Sequence, residues 1–207
     1  SVTVGANLDV SSGTIKLNGN FPTGTDNVAL GNAALSGGSL SGAGNIAIGD
    51  SAGDAITSGS NAVAIGRDVL GGAYTGSDAV AIGRSALAAL TSGSNNVAVG
   101  GLAGTSLTEG VQNTLVGTQA GDALTDADFN VAIGQSSLTA DTLGSRSTAV
   151  GYNTLGSQNF TTATNSNNVA VGYNAGSSVT TGIRNTLIGS LAGDALTDAD
   201  KNVAIGY

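Results

Sequence analysis

The sequence contains no cysteine, histidine, methionine or tryptophan, and Pro22 is its single proline. Without cysteine there are no disulfides and no thiolate metal sites, and either redox compartment suits the chain. Without histidine there is no Ser–His or Cys–His catalytic pair. No glycine-rich stretch ends in the Gly-Lys-Ser/Thr form that cradles phosphates. Aromatics are scarce, with three Phe and four Tyr in 207 residues, so any core must come from Ala, Val, Ile and Leu. Such short side chains suit thin, closely spaced layers better than a thick globular interior. Positive charge is short as well: six Lys plus Arg stand against fourteen Asp plus Glu, a net charge of −8. That balance lacks the basic patch which nucleic acid or an anionic membrane surface demands. No apolar run approaches the ~20 residues of a membrane span. Neither nucleic acid binding nor membrane insertion is expected, and no cofactor or enzyme activity either.

Glycine is in excess, at 34 residues. There is no Gly-X-Y period, which excludes collagen. The glycines fall between regular apolar triplets, which argues against a flexible linker. They mark an internal repeat, a pentapeptide close to Asn-Val-Ala-Ile-Gly that occurs eleven times. Its copies close on Gly31, Gly49, Gly66, Gly83, Gly100, Gly117, Gly134, Gly151, Gly172, Gly189 and Gly206. The spacing is 17 residues except for a first step of 18 and one of 21 between Gly151 and Gly172. A constant period of this kind means stacked coils, each too small to bury its own apolar face. The expected fold is therefore an all-β parallel β-roll or β-solenoid with a ~17-residue coil over 27–207.

Each position of the pentapeptide has a physical reason. The first is Asn in eight copies, a residue able to form amide ladders along a stack. The second is Val, Ile or Thr and the fourth Val, Ile or Leu, which suits a pleated strand. The closing glycine permits positive φ where the chain leaves the strand. The third is Ala in all copies but two, Leu115 and Leu187. Positions two and four share one face of a strand and position three takes the other. Both faces are thus apolar, and another copy of the chain is the simplest cover for the second. The Ala face is the one expected between subunits.

A second motif follows each glycine and ends in Leu (35, 70, 87, 138, 155) or Gly (53, 104, 121, 176, 193). It is expected to form a second short strand that closes each coil. Gly121–Gly134 and Gly193–Gly206 agree at thirteen of fourteen positions, differing only in Phe129 against Lys201. Repeat duplication accounts for that identity. Residues 1–26 lack the period and are expected to form a short-strand cap or a connector to a preceding shaft. Beginning at Ser1 and ending inside a repeat at Tyr207, the sequence is expected to be a piece of a longer chain.

The phrases NVALG, NIAIG, AVAIG and NVAVG, each followed by a short Ala/Leu segment, resemble the head repeats of YadA-like trimeric autotransporter adhesins. NVAIGQSSL, STAVGYNTLGS and NNVAVGYNAG, with the opening NLDVSSGTIKLNGN, look more like repeats in tail fibres of phages, including cyanophages. The resemblance implies a left-handed β-roll, a side-by-side or intertwined homotrimer, and a structural fibre segment for host attachment. It also implies a virion location, with other fibre or tail proteins and a host glycan or protein receptor as partners. A bacterial adhesin head on the cell surface is the alternative, and a ligand- or ice-binding solenoid a remoter one.

Candidate contact residues lie just after the repeat glycines. Tyr152, Tyr173 and Tyr207 fall on one longitudinal row, where they stabilise the ladder or present ring faces to sugars. On the same row Asp50, Arg67 and Arg84 would be successive neighbours with weak ion pairing. The four extra residues lie within 156–167, a polar stretch that contains Phe160. Phe160 tucks under this loop or against a neighbouring chain, or else joins the tyrosines as a contact residue. The pairs Asp126/Asp128 and Asp198/Asp200 read as solvated turn formers, with a weak calcium site as the alternative.

Overall fold

The computed structural model describes residues 25–37 and 40–207. The cap expected over 1–26 lies outside them apart from its last two residues. Three-residue strands recur at each pentapeptide. They are β1 (Val28–Leu30), β2 (Ile46–Ile48), β3 (Val63–Ile65), β4 (Val80–Ile82), β5 (Val97–Val99), β6 (Thr114–Val116) and β7 (Val131–Ile133). The series continues through β9 (Thr148–Val150), β11 (Val169–Val171), β12 (Thr186–Ile188) and β13 (Val203–Ile205). Two shorter strands, β8 (Gly144–Ser145) and β10 (Thr164–Asn165), pair with each other. The eleven main strands form one parallel sheet in strict chain order. Every pair is in register, so Val63 meets Val80 and Ala64 meets Ala81, as the 17-residue period requires. The chain is a β-solenoid, and no helix occurs among the described residues.

The interior is built from rows, each repeating once per coil. Position three of the pentapeptide, the middle residue of each strand, is inward: Ala47, Ala64, Ala81, Ala98, Ala132, Ala149 and Ala170 have no exposure. The third residue after each glycine faces it, as in Ala52, Ala86, Ala103, Ala120 and Ala175. The seventh supplies bulk through Ile56, Leu90, Leu107, Leu124 and Val179, all buried. The expectation that the Ala face lies between subunits is thereby reversed. Ala is inside because a small residue lets the opposite wall of a thin coil approach. The β-branched residues at positions two and four point outward and are half-buried or exposed.

The second strand is also corrected. The segments after each glycine are turns. Their second and fourth residues both have positive φ, for example Ser85 at 56° and Leu87 at 48°, or Gln119 at 58° and Gly121 at 56°. Two left-handed residues one apart bend the chain round a corner, which the extended backbone of a strand cannot do. A leucine there drops its side chain into the core, and a glycine adopts the turn without steric cost.

The first position is buried and holds successive coils together. Asn45 Oδ1 accepts the backbone N–H of Ala62 at 2.9 Å, and its Nδ2 donates to Gly59 O at 2.9 Å. Asn96, Asn113, Asn130, Asn168 and Asn185 repeat the first of these bonds. Where the row reads Ala62 and Ala79, the buried Tyr74 ring fills the space, close to Gly59 and Gly76. Its hydroxyl is the one buried side-chain polar atom without a hydrogen bond among the described residues. Burial and nearby Asp78 hold that phenol well above its ordinary pKa.

Candidate functional sites

Three surfaces or clusters carry features that could serve a function. The first is the outer strand face. Both outward positions in each of the eleven strands are aliphatic, except for Thr114, Thr148 and Thr186. The face is three residues wide and eleven strands tall, roughly 10 Å by 50 Å at normal strand spacings. At on the order of 500 Å², this apolar surface is as large as the largest patch that a typical monomeric protein exposes.

The second is the row beside it. Tyr152 and Tyr173 sit on adjacent coils with ring centroids 5.4 Å apart and planes 11° from parallel. They are 46% and 54% exposed. Next to them Asn153 Nδ2 donates to Asn174 Oδ1 at 3.0 Å. The charge ladder expected lower on this row does not form in that way. Asp50 Oδ1 accepts from Asn32 Nδ2 at 2.9 Å. Arg67 pairs instead with Asp68, its neighbour in sequence, at 3.5 Å.

The third lies inside the coil stack, at the expanded repeat. Asp141 and Gln158 occupy the seventh-residue row, where most other described coils place Leu, Ile or Val, and both are fully buried. Asp141 Oδ1 accepts backbone N–H groups of Gly144 and Phe160 at 3.1 and 3.0 Å. Its Oδ2 accepts from Gln158 Nε2. Gln158 Nε2 also donates to Ser147 Oγ at 2.9 Å, and Asn168 Nδ2 donates to Gln158 Oε1 at 2.8 Å. Ser147 Oγ bonds Ser166 Oγ. Desolvation raises the Asp141 pKa, and the hydrogen bonds from Phe160, Gln158 and Gly144 oppose that rise without cancelling it.

This cluster explains how a 21-residue coil fits a 17-residue stack. Leu143 N donates to Phe160 O at 3.0 Å and Thr164 N donates to Leu143 O at 3.2 Å. The chain between those two bonds, residues 161–163, is exposed and bulges out. Phe160 itself is only 6% exposed. Its contact role is therefore corrected: the ring is held inward because its own N–H and C=O are both tied to the neighbouring coil.

The aspartate pairs serve the turns. Asp128 Oδ1 accepts from Val111 N at 2.8 Å and Asp200 Oδ1 from Ile183 N at 2.7 Å, each stapling its coil to the one before. No group of three or more acidic, His or Cys residues is placed to hold a metal ion among the described residues. The eleven closing glycines sit as expected, with φ between +128° and +142°.

One row and one cluster are not visible in the pentapeptide pattern. The eighth residue after the glycine is Thr in most coils. Most of these hydroxyls donate to the next coil's carbonyl, as Thr91 does to Thr108 O at 3.1 Å and Thr108 to Thr125 O at 3.2 Å, whereas Thr197 donates to Asp198 Oδ1. Aligning the coils on their glycines reveals this row, whereas the strand positions alone do not. The polar cluster leaves a fainter trace, as Asp and Gln in a column otherwise apolar. No protein-family model, curated protein or solved structure matches the chain.

Proposed function

We propose that this chain is a structural fibre segment, in which three copies pack through their strand faces into a stiff rod for host-cell attachment. A phage tail fibre or a related virion appendage is the setting in which such a rod works, with other fibre proteins at its ends. The observation that carries the reading is the continuous Val/Ile face on the outside of each coil stack. Left bare it exposes aliphatic side chains to water over its whole height, and a second and third copy remove them. In-register coils joined by backbone, Asn and Thr bonds give the stiffness. Three attachment surfaces on one rod raise avidity without a new kind of contact. In this reading the chain performs no catalysis.

Light scattering after size exclusion tests the assembly. The wild-type chain is expected at the mass of three chains. Ile82→Asp with Val99→Asp, on the outer face of β4 and β5, is expected at the mass of one, with its β-sheet circular dichroism retained. A wild-type chain that is a stable monomer overturns the reading.

A further inference from the structure

The row beside the strand face holds three of the four tyrosines of the chain, and its spacing leaves a gap between two of them. Tyr152 and Tyr173 follow Gly151 and Gly172 on adjacent coils, and their rings stack. One coil step thus brings two rings of this row face to face. The next coil places Ser190 on the row, and the coil after it places Tyr207. The stacking there is set by Leu191 N donating to Tyr173 O at 2.8 Å and Gly206 N to Ile188 O at 2.9 Å. Tyr173 and Tyr207 are therefore two coil steps apart, roughly 9.6 Å at normal strand spacing. The row position between them is Ser190. One face of the Tyr173 ring is covered by Tyr152, and the other is on the Ser190 side.

We propose that Tyr173, Ser190 and Tyr207 form a clamp for one pyranose ring of a glycan. The separation of two stacking steps takes one ring with an aromatic face on either side. The C–H faces of a pyranose are apolar and weakly positive, and they suit the negative faces of tyrosine rings. Its rim hydroxyls require polar partners. Ser190 provides a hydroxyl at the floor of the slot. Asn174 accepts from Asn153 through Oδ1, and its own Nδ2 has no acceptor among the described residues. A planar aromatic ligand would fill the same width and leave Ser190 and Asn174 unpartnered. A phosphate-bearing ligand is disfavoured by the net charge of −8. The clamp deepens the attachment part of the rod reading and rests on it for its biological role, although one chain carries all its residues.

Saturation-transfer NMR on the full chain tests it, with a panel of methyl hexopyranosides and methyl pentopyranosides and with benzyl alcohol as the planar control. Transfer to the ring C–H protons of at least one pyranoside is expected. Ser190→Tyr fills the slot with a ring, which the Tyr152–Tyr173 pair shows the row accepts. It is expected to weaken binding more than tenfold, as is Tyr207→Ala, while Tyr152→Ala stays within threefold of wild type. No transfer to any pyranoside, transfer unchanged in Ser190→Tyr, or transfer to benzyl alcohol alone overturns the proposal. Light scattering on the same samples separates the two readings. A monomer that binds pyranosides keeps the clamp and removes the rod, and a trimer without transfer does the reverse.

Discussion

At Gly66 the backbone has φ +136°, and a Cβ built there would lie 2.7 Å from Gly83 O and 2.8 Å from Gly83 C. Two costs coincide at this one atom: a conformation that L side chains rarely adopt, and a collision with the next coil's backbone. Neither neighbour is a flexible side chain able to move aside. Gly66→Ala is expected to destabilise the chain by about 2–4 kcal/mol, read as a fall in the urea midpoint at unchanged m-value. A change within 0.5 kcal/mol would mean that the coils are not stacked this closely. Left-handed backbone is not reserved for glycine in this fold. Phe129 and Lys201, the one difference between two otherwise identical stretches, have φ of 59° and 57°. The position before each Asn demands that geometry and leaves its side chain outside. This is why an aromatic ring and an ammonium group are interchangeable there.

At the scale of the coil, core volume is exchanged between two rows. Leu115 and Leu187 replace Ala in the strand, and the turns beside them carry Gly104, Gly121, Gly176 and Gly193. A Cβ on Gly104 would meet Leu115 Cδ1 at 2.7 Å, and one on Gly121 would meet Leu115 Cδ2 at 2.8 Å. Around Leu187 the same relation holds for Gly176 at 2.6 Å. In most other coils Ala in the strand goes with Leu in the turn, as with Ala81 and Leu87, while beside Ala47 the space at Gly53 is taken by Ile56 and Leu35. Leu115→Ala alone should cost about 3 kcal/mol by opening a cavity, and Gly121→Leu alone should overpack. The double variant is expected to recover more than 1 kcal/mol relative to the sum of the singles. Chemical denaturation of all four chains checks this, and strict additivity would show that the two side chains do not share space.

For the whole molecule, the buried carboxylate ties stability to pH. Burial holds the Asp141 pKa above the ~3.9 of an unfolded chain. Between those two values the folded state binds more protons than the unfolded, so this group lowers stability as pH rises through the window. Below ~3.9 the cost is absent, and above the raised value it is complete. Asp141→Asn removes the titration and keeps a carbonyl oxygen for Gly144 and Phe160. Its stability relative to wild type should rise from pH 3.5 to a plateau above the Asp141 pKa, measured by urea unfolding across that range. A difference that does not vary with pH would show that the three donors hold the carboxyl at its ordinary value. The same residues interrupt the apolar seventh-residue row, so the solenoid core is polar just where its chain bulges.

The period, the parallel in-register stack and the closing glycines were legible in the sequence, because a repeat of fixed length leaves a stacked chain one way to superpose its coils. The Asn ladder was legible for the same reason, since identical residues at one phase must fall on one row. Which face of the strand points inward was not. Ala and Val/Ile are both apolar, and only the thickness of the coil decides that the smaller goes inside. The turn after each glycine was not legible either, because a short Ala/Leu segment has no period that reports two left-handed residues. Phe160 was placed by backbone bonds to Leu143 and Asp141, contacts between coils that no local pattern records. The Leu115–Gly121 exchange and the Tyr173–Ser190–Tyr207 spacing likewise exist only between coils. Period and row composition are properties of the chain read along its length. Inside and outside, and the width of a gap, belong to the stacked coils.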